Sequence, residues 1–89
     1  MKAVVTVVGK DRVGIIAETC VALASYNVNV LDISQTVMES YFTMMMVVDV
    51  SNCTVSMTEL CKAMDAKGQE MGLSIRVQRE DIFEAMHRV

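Results

Sequence analysis

The run from Tyr41 to Val50 constrains this chain most. As a strand it carries Phe42, Met44, Met46 and Val48 on one face and Tyr41, Met45 and Val47 on the other. A strand apolar on both faces belongs inside a sheet, with cover on each side. That demand falls on 89 residues. A chain of this size buries only about 60–65% of its unfolded surface, enough for one small core.

The rest of the chain supplies the elements around that strand. Lys2 to Val8 is β-branched and apolar on both faces, the pattern of a second central strand. Gly9 to Arg12 is a polar turn. From Val13 the period becomes helical, with Val13, Ile16, Ala17, Cys20, Leu23 and Ala24 on one stripe and Asp11 placed to cap it. Tyr26-Asn27 ends that helix, because asparagine tolerates the left-handed conformation. Val28 to Met38 reads as a strand whose alternation slips near Leu31-Asp32, the mark of a bulge. Glu39-Ser40 turns it tightly into the Tyr41–Val50 strand. Ser56 and Glu59 form a capping box for a helix that buries Met57, Leu60, Cys61, Met64 and Met71 and ends near Gly72. Leu73, Ile75 and Val77 alternate with polar residues as a last strand, and Ile82, Phe83 and Met86 lie at helical spacing in the tail. The order βαββαβ predicts an α+β, ferredoxin-like sandwich: a four-stranded antiparallel sheet, two helices on one face, and a short C-terminal helix. The sheet's other face then needs the C-terminal helix, a second copy of the chain, or both.

Charge and composition narrow the function. Eight basic against eleven acidic residues give a net charge of −3, with no basic run, which argues against nucleic acid and anionic membranes. Aromatic residues make up 4% of the chain, too few for a stacking platform on the central strands. No apolar stretch is long enough to span a bilayer or to serve as a signal segment, so the expected location is the cytoplasm. Cys20, Cys53 and Cys61 form no CxxC pair, and His87 is the single histidine, so neither a metal set nor a cofactor is expected. His87 could titrate near neutral pH, although a lone histidine near a terminus is commonly a solvated surface group.

Two segments could hold a ligand. Gly9-Lys10-Asp11-Arg12-Val13-Gly14 joins a strand to a helix, with glycines that permit a sharp turn and amides that favour a carboxylate or phosphate. It lacks the lysine and hydroxyl of a phosphate-binding P-loop and the three glycines of a dinucleotide fingerprint. Asn27-Val28-Asn29-Val30-Leu31-Asp32, where the first helix hands over to the next strand, offers the Asn29 amide as donor and acceptor and the Asp32 carboxylate to balance an ammonium. A helix N-terminus for a carboxylate and acceptors for an ammonium suit a free amino acid.

Gly9 through Ala17, followed by Asn29-Val30 and Asp32-Ile33-Ser34-Gln35, resembles an ACT domain, over nearly the whole of residues 1–89 taken as one domain. The tail from Ile75 to Arg88 resembles a small group of stand-alone, uncharacterised bacterial and archaeal ACT proteins. The resemblance implies side-by-side or face-to-face association with a ligand at the interface. It places Gly9, Asp11 and Gly14 on the ligand turn and Asn29, Val30 and Leu31 on the opposite wall; Lys10, Arg12 and Val13 belong to the same turn, with Lys10 and Arg12 as candidates for ligand or partner contacts or as solvated surface. Many relatives have proline where Val13 stands, so this turn is looser at its helical start. It also implies a non-enzymatic homodimer, or higher homo-oligomer, that senses an amino acid and acts through a separate protein. The rival from a different class is an adaptor that binds a protein and no metabolite, for which the nine methionines would serve as adaptable contacts. An acylphosphatase-like hydrolase would need an arginine at the start of the first helix, where Ile15, Ile16, Ala17 and Glu18 stand.

Overall fold

The double-sided apolar strand takes the inner position its composition demands. In the computed structural model, which describes residues 1–86 apart from the side chains of residues 83, 85 and 86, the order is β1 (Lys2–Lys10), α1 (Ile15–Ser25), β2 (Asn29–Met38), β3 (Tyr41–Asp49), α2 (Met57–Met71), β4 (Ser74–Arg79) and α3 (Glu80–Met86). The strands lie in the order β2-β3-β1-β4 and every pairing is antiparallel, the ferredoxin-like βαββαβ arrangement. His87 lies outside the described residues.

On the face under α1 and α2, Ala3, Val5 and Val7 stand opposite Val48, Met46 and Met44, and Val77 and Ile75 flank them from β4. All are buried, as are Leu60 and Met64 from α2 and Leu23 from α1. On the other face the cover is partial. The C-terminal helix α3 meets β1 and β4, while Val8, Met45, Tyr41 and Met38 remain exposed. The strand β2 bulges between Val30 and Asp32, where its alternation slips, and Glu39 takes a positive φ of 57° in the two-residue turn into β3.

The helix α1 departs from the stripe expected of it. Its buried residues are Ile15, Thr19 and Leu23, whereas Val13 is 95% exposed and Ile16, Ala17 and Ala24 also face out. The helix starts at Ile15, two residues later than the apolar period suggested. With Glu18 its one charged residue, α1 is apolar nearly all round, so periodicity says little about which side faces in. Thr19 takes a core position because its hydroxyl donates to the Ile15 carbonyl at 2.7 Å and is thereby satisfied. Asp11 does not cap α1. The N-cap is Gly14, with no side-chain cap at all. The other helix follows its signature: the Ser56 hydroxyl accepts from the Glu59 amide at 3.2 Å, and Gly72 closes the C-terminus.

The cysteines are half-buried thiols packed against the core. Cys61 donates to the Val77 carbonyl at 3.4 Å, and burial pushes its pKa up.

The carboxylate of Asp49, at the end of β3, accepts from the Ser51 hydroxyl and from its amide, the latter at 2.9 Å. Those bonds hold its pKa below the ordinary aspartate value. Asp49 therefore favours the folded state above the unfolded-chain pKa, and that contribution fades as pH falls through the depressed folded value. A carbon-detected NMR titration should place Asp49 below the ordinary aspartate value, and Ser51→Ala should move it back up. An unchanged midpoint in Ser51→Ala would assign the shift to some other cause.

Candidate functional site

The candidate site lies where β1 hands over to α1. The Asp11 amide donates to the Ser40 carbonyl at 2.8 Å, so the turn is tied to the β2–β3 hairpin. Gly14 has φ 93°, a left-handed conformation that L side chains rarely adopt. Space is not what demands glycine there, since an added Cβ would find its nearest neighbour, Glu18 Oε2, at 3.6 Å. With a glycine as N-cap, the first amides of α1 have no side-chain acceptor. Arg12 braces the turn from outside: Nη2 donates to Glu18 Oε2 at 2.7 Å and Nη1 to the Val13 carbonyl at 2.9 Å.

Between this turn and the helix-side residues of β2 lies a cavity of about 460 Å³, lined by Asp11, Arg12, Gly14, Ile15, Ile16 and Ala17 together with Gln35, Val37 and Phe42. Of the residues expected at the site, Asp11, Arg12 and Gly14 line it. Lys10 ends β1 opposite Tyr41 and is exposed. Gly9 sits beneath the Leu73 side chain, and Val13 projects into solvent. Asn29 and Val30 stand opposite Asp49 and Val48, with Leu31 at the bulge, all at the start of β2. Gln35 and Val37 lie near its other end. Within one chain, the two walls expected from the sequence are thus at opposite ends of β2.

Six lining residues were not expected from the sequence: Ile15, Ile16 and Ala17 from the start of α1, and Gln35, Val37 and Phe42 from the β2–β3 pair. The two-residue turn at Glu39-Ser40 carried a usable signal, because it fixes Met38 opposite Tyr41 and hence Val37 opposite Phe42.

Two further hollows have charged lining residues that are all ion-paired within the chain. A larger groove of about 600 Å³ between α1 and α2 is walled by Ala17, Val21, Ala22, Ala63 and Ala66, and its Lys67 pairs with Glu70 at 3.7 Å. A smaller one of about 350 Å³ lies among α2, β4 and Ile82, where Arg79 is held by Asp81 at 2.8 Å. Among the described residues no three His, Cys, Asp or Glu side chains converge as a metal set, and no helix is long and apolar enough to cross a membrane.

The sequence profile of the ACT domain matches residues 2–78. This chain belongs to the ACT family. It is 51% identical over 89 residues to the UPF0237 protein of Clostridium acetobutylicum, covering the whole of both chains. It is 48% identical over 88 residues to the UPF0237 protein of the archaeon Methanocaldococcus jannaschii, covering 99% of this chain and 98% of that one. The ACT domain protein from Streptococcus pneumoniae superposes with a TM-score of 0.83 at 46% identity, covering 98% of each chain. ACT domains are regulatory ligand-binding domains that often bind amino acids and commonly oligomerise.

Proposed function

We propose that this ACT domain is a non-catalytic sensor: it binds a free amino acid beside the β1–α1 turn, at an interface between two copies, and modulates a separate protein. The carrying observation is the cavity itself, whose walls are the uncapped start of α1 and the helix side of an edge strand with one bare flank. A ten-residue strand spans about 33 Å. The edge β2 has Asp32 as its sole charge and no proline, and its residues are exposed almost throughout. Such an edge invites pairing. Antiparallel addition of a second β2 about a twofold axis would set the start of one strand beside the end of the other. Asn29, Val30 and Leu31 of one copy would then approach Gln35, Val37 and the turn of its partner, joining the two walls that one chain keeps apart. The exposed Ile16, Leu31 and Val37 would gain cover in the same step.

Thermal unfolding against a panel of free amino acids tests the reading. A ligand at about a hundred times its Kd adds roughly 2.7 kcal/mol. In a domain of this size each kcal/mol moves the midpoint by about 4–8 °C. Gly14→Asp should abolish the shift, because it places a carboxylate where the ligand's own would dock and forces a side chain into φ 93°. A Gly14→Asp protein that is folded by circular dichroism and still responds would remove the site from the turn. A flat panel on the wild-type chain would favour the adaptor reading, for which the groove between α1 and α2 offers a surface.

A further inference from the structure

The nine methionines divide sharply by position. Met44, Met46 and Met64 are fully buried and Met71 nearly so, all in the core between sheet and helices. Met45 stands between two of them in sequence but on the opposite face of β3. It is 38% exposed, with Thr6 of β1 and Ser34 of β2 beside it across the sheet. Met38, at the end of β2 opposite Tyr41, is 70% exposed on that same outer face. The helix α3 meets the sheet at β1 and β4, the strands away from β2. Strand addition along β2 would extend the sheet in its own plane and leave this face open, so both thioethers are accessible in one copy or in two. The thiols are placed otherwise. Cys20, Cys53 and Cys61 are half-buried against the core. Cys61 donates its S–H to the Val77 carbonyl, and burial favours its protonated form. Peroxide oxidises the thiolate form of a cysteine. A thioether needs no deprotonation and reacts wherever it is exposed.

We propose that Met38 and Met45 are an oxidation site of the folded protein, converted by peroxide to sulfoxides while the thiols stay reduced. In each step a sulfur lone pair attacks one peroxide oxygen, the S–O bond forms and the O–O bond breaks. The leaving hydroxide takes up the proton on the transferred oxygen and departs as water, and the sulfur has lost two electrons. A flexible apolar side chain thereby becomes a polar, chiral one. At Met45 the new polar group lies in the middle of the sheet's outer face. The core is untouched, because Met44 and Met46 point the other way. Methionine sulfoxide reductases reverse the step, so the polarity of this face can change without unfolding.

Peptide mass spectrometry tests the site on the purified chain, sampled over time in hydrogen peroxide at neutral pH, quenched and then treated with a thiol label. Fragmentation within the β3 peptide separates Met44, Met45 and Met46. Met38 should oxidise fastest and Met45 next, with the exposed Met1 as an internal reference. Met44, Met46 and Met64 should react at least about tenfold more slowly, because oxidant reaches them only through local opening. All three cysteines should still take up the label. In guanidinium chloride the methionines should react at similar rates, which assigns the pattern to the fold. The oxidised protein should melt within about 4 °C of the untreated one. Met44 or Met46 oxidising as fast as Met45 would overturn the site. So would a Met45 that stays unmodified while Met1 and Met38 react, since the outer face would then be covered. Loss of thiol label ahead of Met38 oxidation would make a cysteine the sensitive group instead. A larger fall in the melting midpoint would overturn the claim that the change stays on the surface.

Discussion

Gly68→Val should leave little folded protein at 25 °C, and Gly68→Ala should melt well below the wild type. Gly68 lies in the interior of α2, where glycine costs about 1 kcal/mol relative to alanine. The reason for it is close approach. A Cβ there would lie 2.9 Å from the Leu73 carbonyl oxygen and 3.0 Å from the Ile75 nitrogen, both backbone atoms of the chain entering β4. Neither can swing aside, because the Leu73 amide donates to the Gly68 carbonyl at 2.7 Å and Ile75 is locked into the sheet opposite Val7. Overpacking of this kind costs about 1–3 kcal/mol for the smallest addition and more for a branched one. The whole stability of 89 residues is only about 4–13 kcal/mol. Gly9 provides the contrast. A Cβ there would press on a terminal methyl of the Leu73 side chain, which can rotate, so Gly9→Ala should be milder than Gly68→Ala. Thermal melts followed by circular dichroism compare the three. A Gly68→Ala protein as stable as the wild type would mean that α2 sits further from β4 than described.

Ile15→Ala should cost about 2–5 kcal/mol, and Val13→Ser should stay within about 0.5 kcal/mol of the wild type. The two residues begin the same apolar run, and the sequence favoured the wrong one. Ile15 is buried at the start of α1, so truncation opens a cavity beneath the helix. Val13 precedes the helix and projects into solvent, so its loss removes no packing within the chain. Denaturant unfolding of both variants at equal protein concentration gives the comparison. A large loss from Val13→Ser with little from Ile15→Ala would restore the stripe first expected and rotate α1 on the sheet.

That contrast shows where sequence patterns carry information and where they stop. The strands were legible because alternation and double-sided apolarity are backbone-scale signals. The bulge near Leu31, the turn at Glu39-Ser40 and the Ser56 cap each follow from local chemistry. The face of α1 was not legible, because a helix with Glu18 as its only charge has too few polar residues to mark an outside, and Thr19 hides a satisfied hydroxyl in the core. The cavity proposed as the site was half legible. Glycine spacing located the turn at Asp11 to Gly14. The second wall depends on register: only the pairing of β2 with β3 sets Val37 against Phe42 and puts Gln35 near the turn while carrying Asn29 to the far end of the strand. A sequence does not display that distance.

In the proposed function two copies join along β2 and an amino acid tightens the union. Sedimentation equilibrium of the wild-type chain over a wide concentration range, with and without an equimolar mixture of free amino acids, tests it most directly. The expected result is a species of twice the 9.8 kDa chain mass, or a multiple of it, persisting to lower protein concentration when the mixture is present. A 9.8 kDa monomer throughout, unmoved by the mixture, would contradict it.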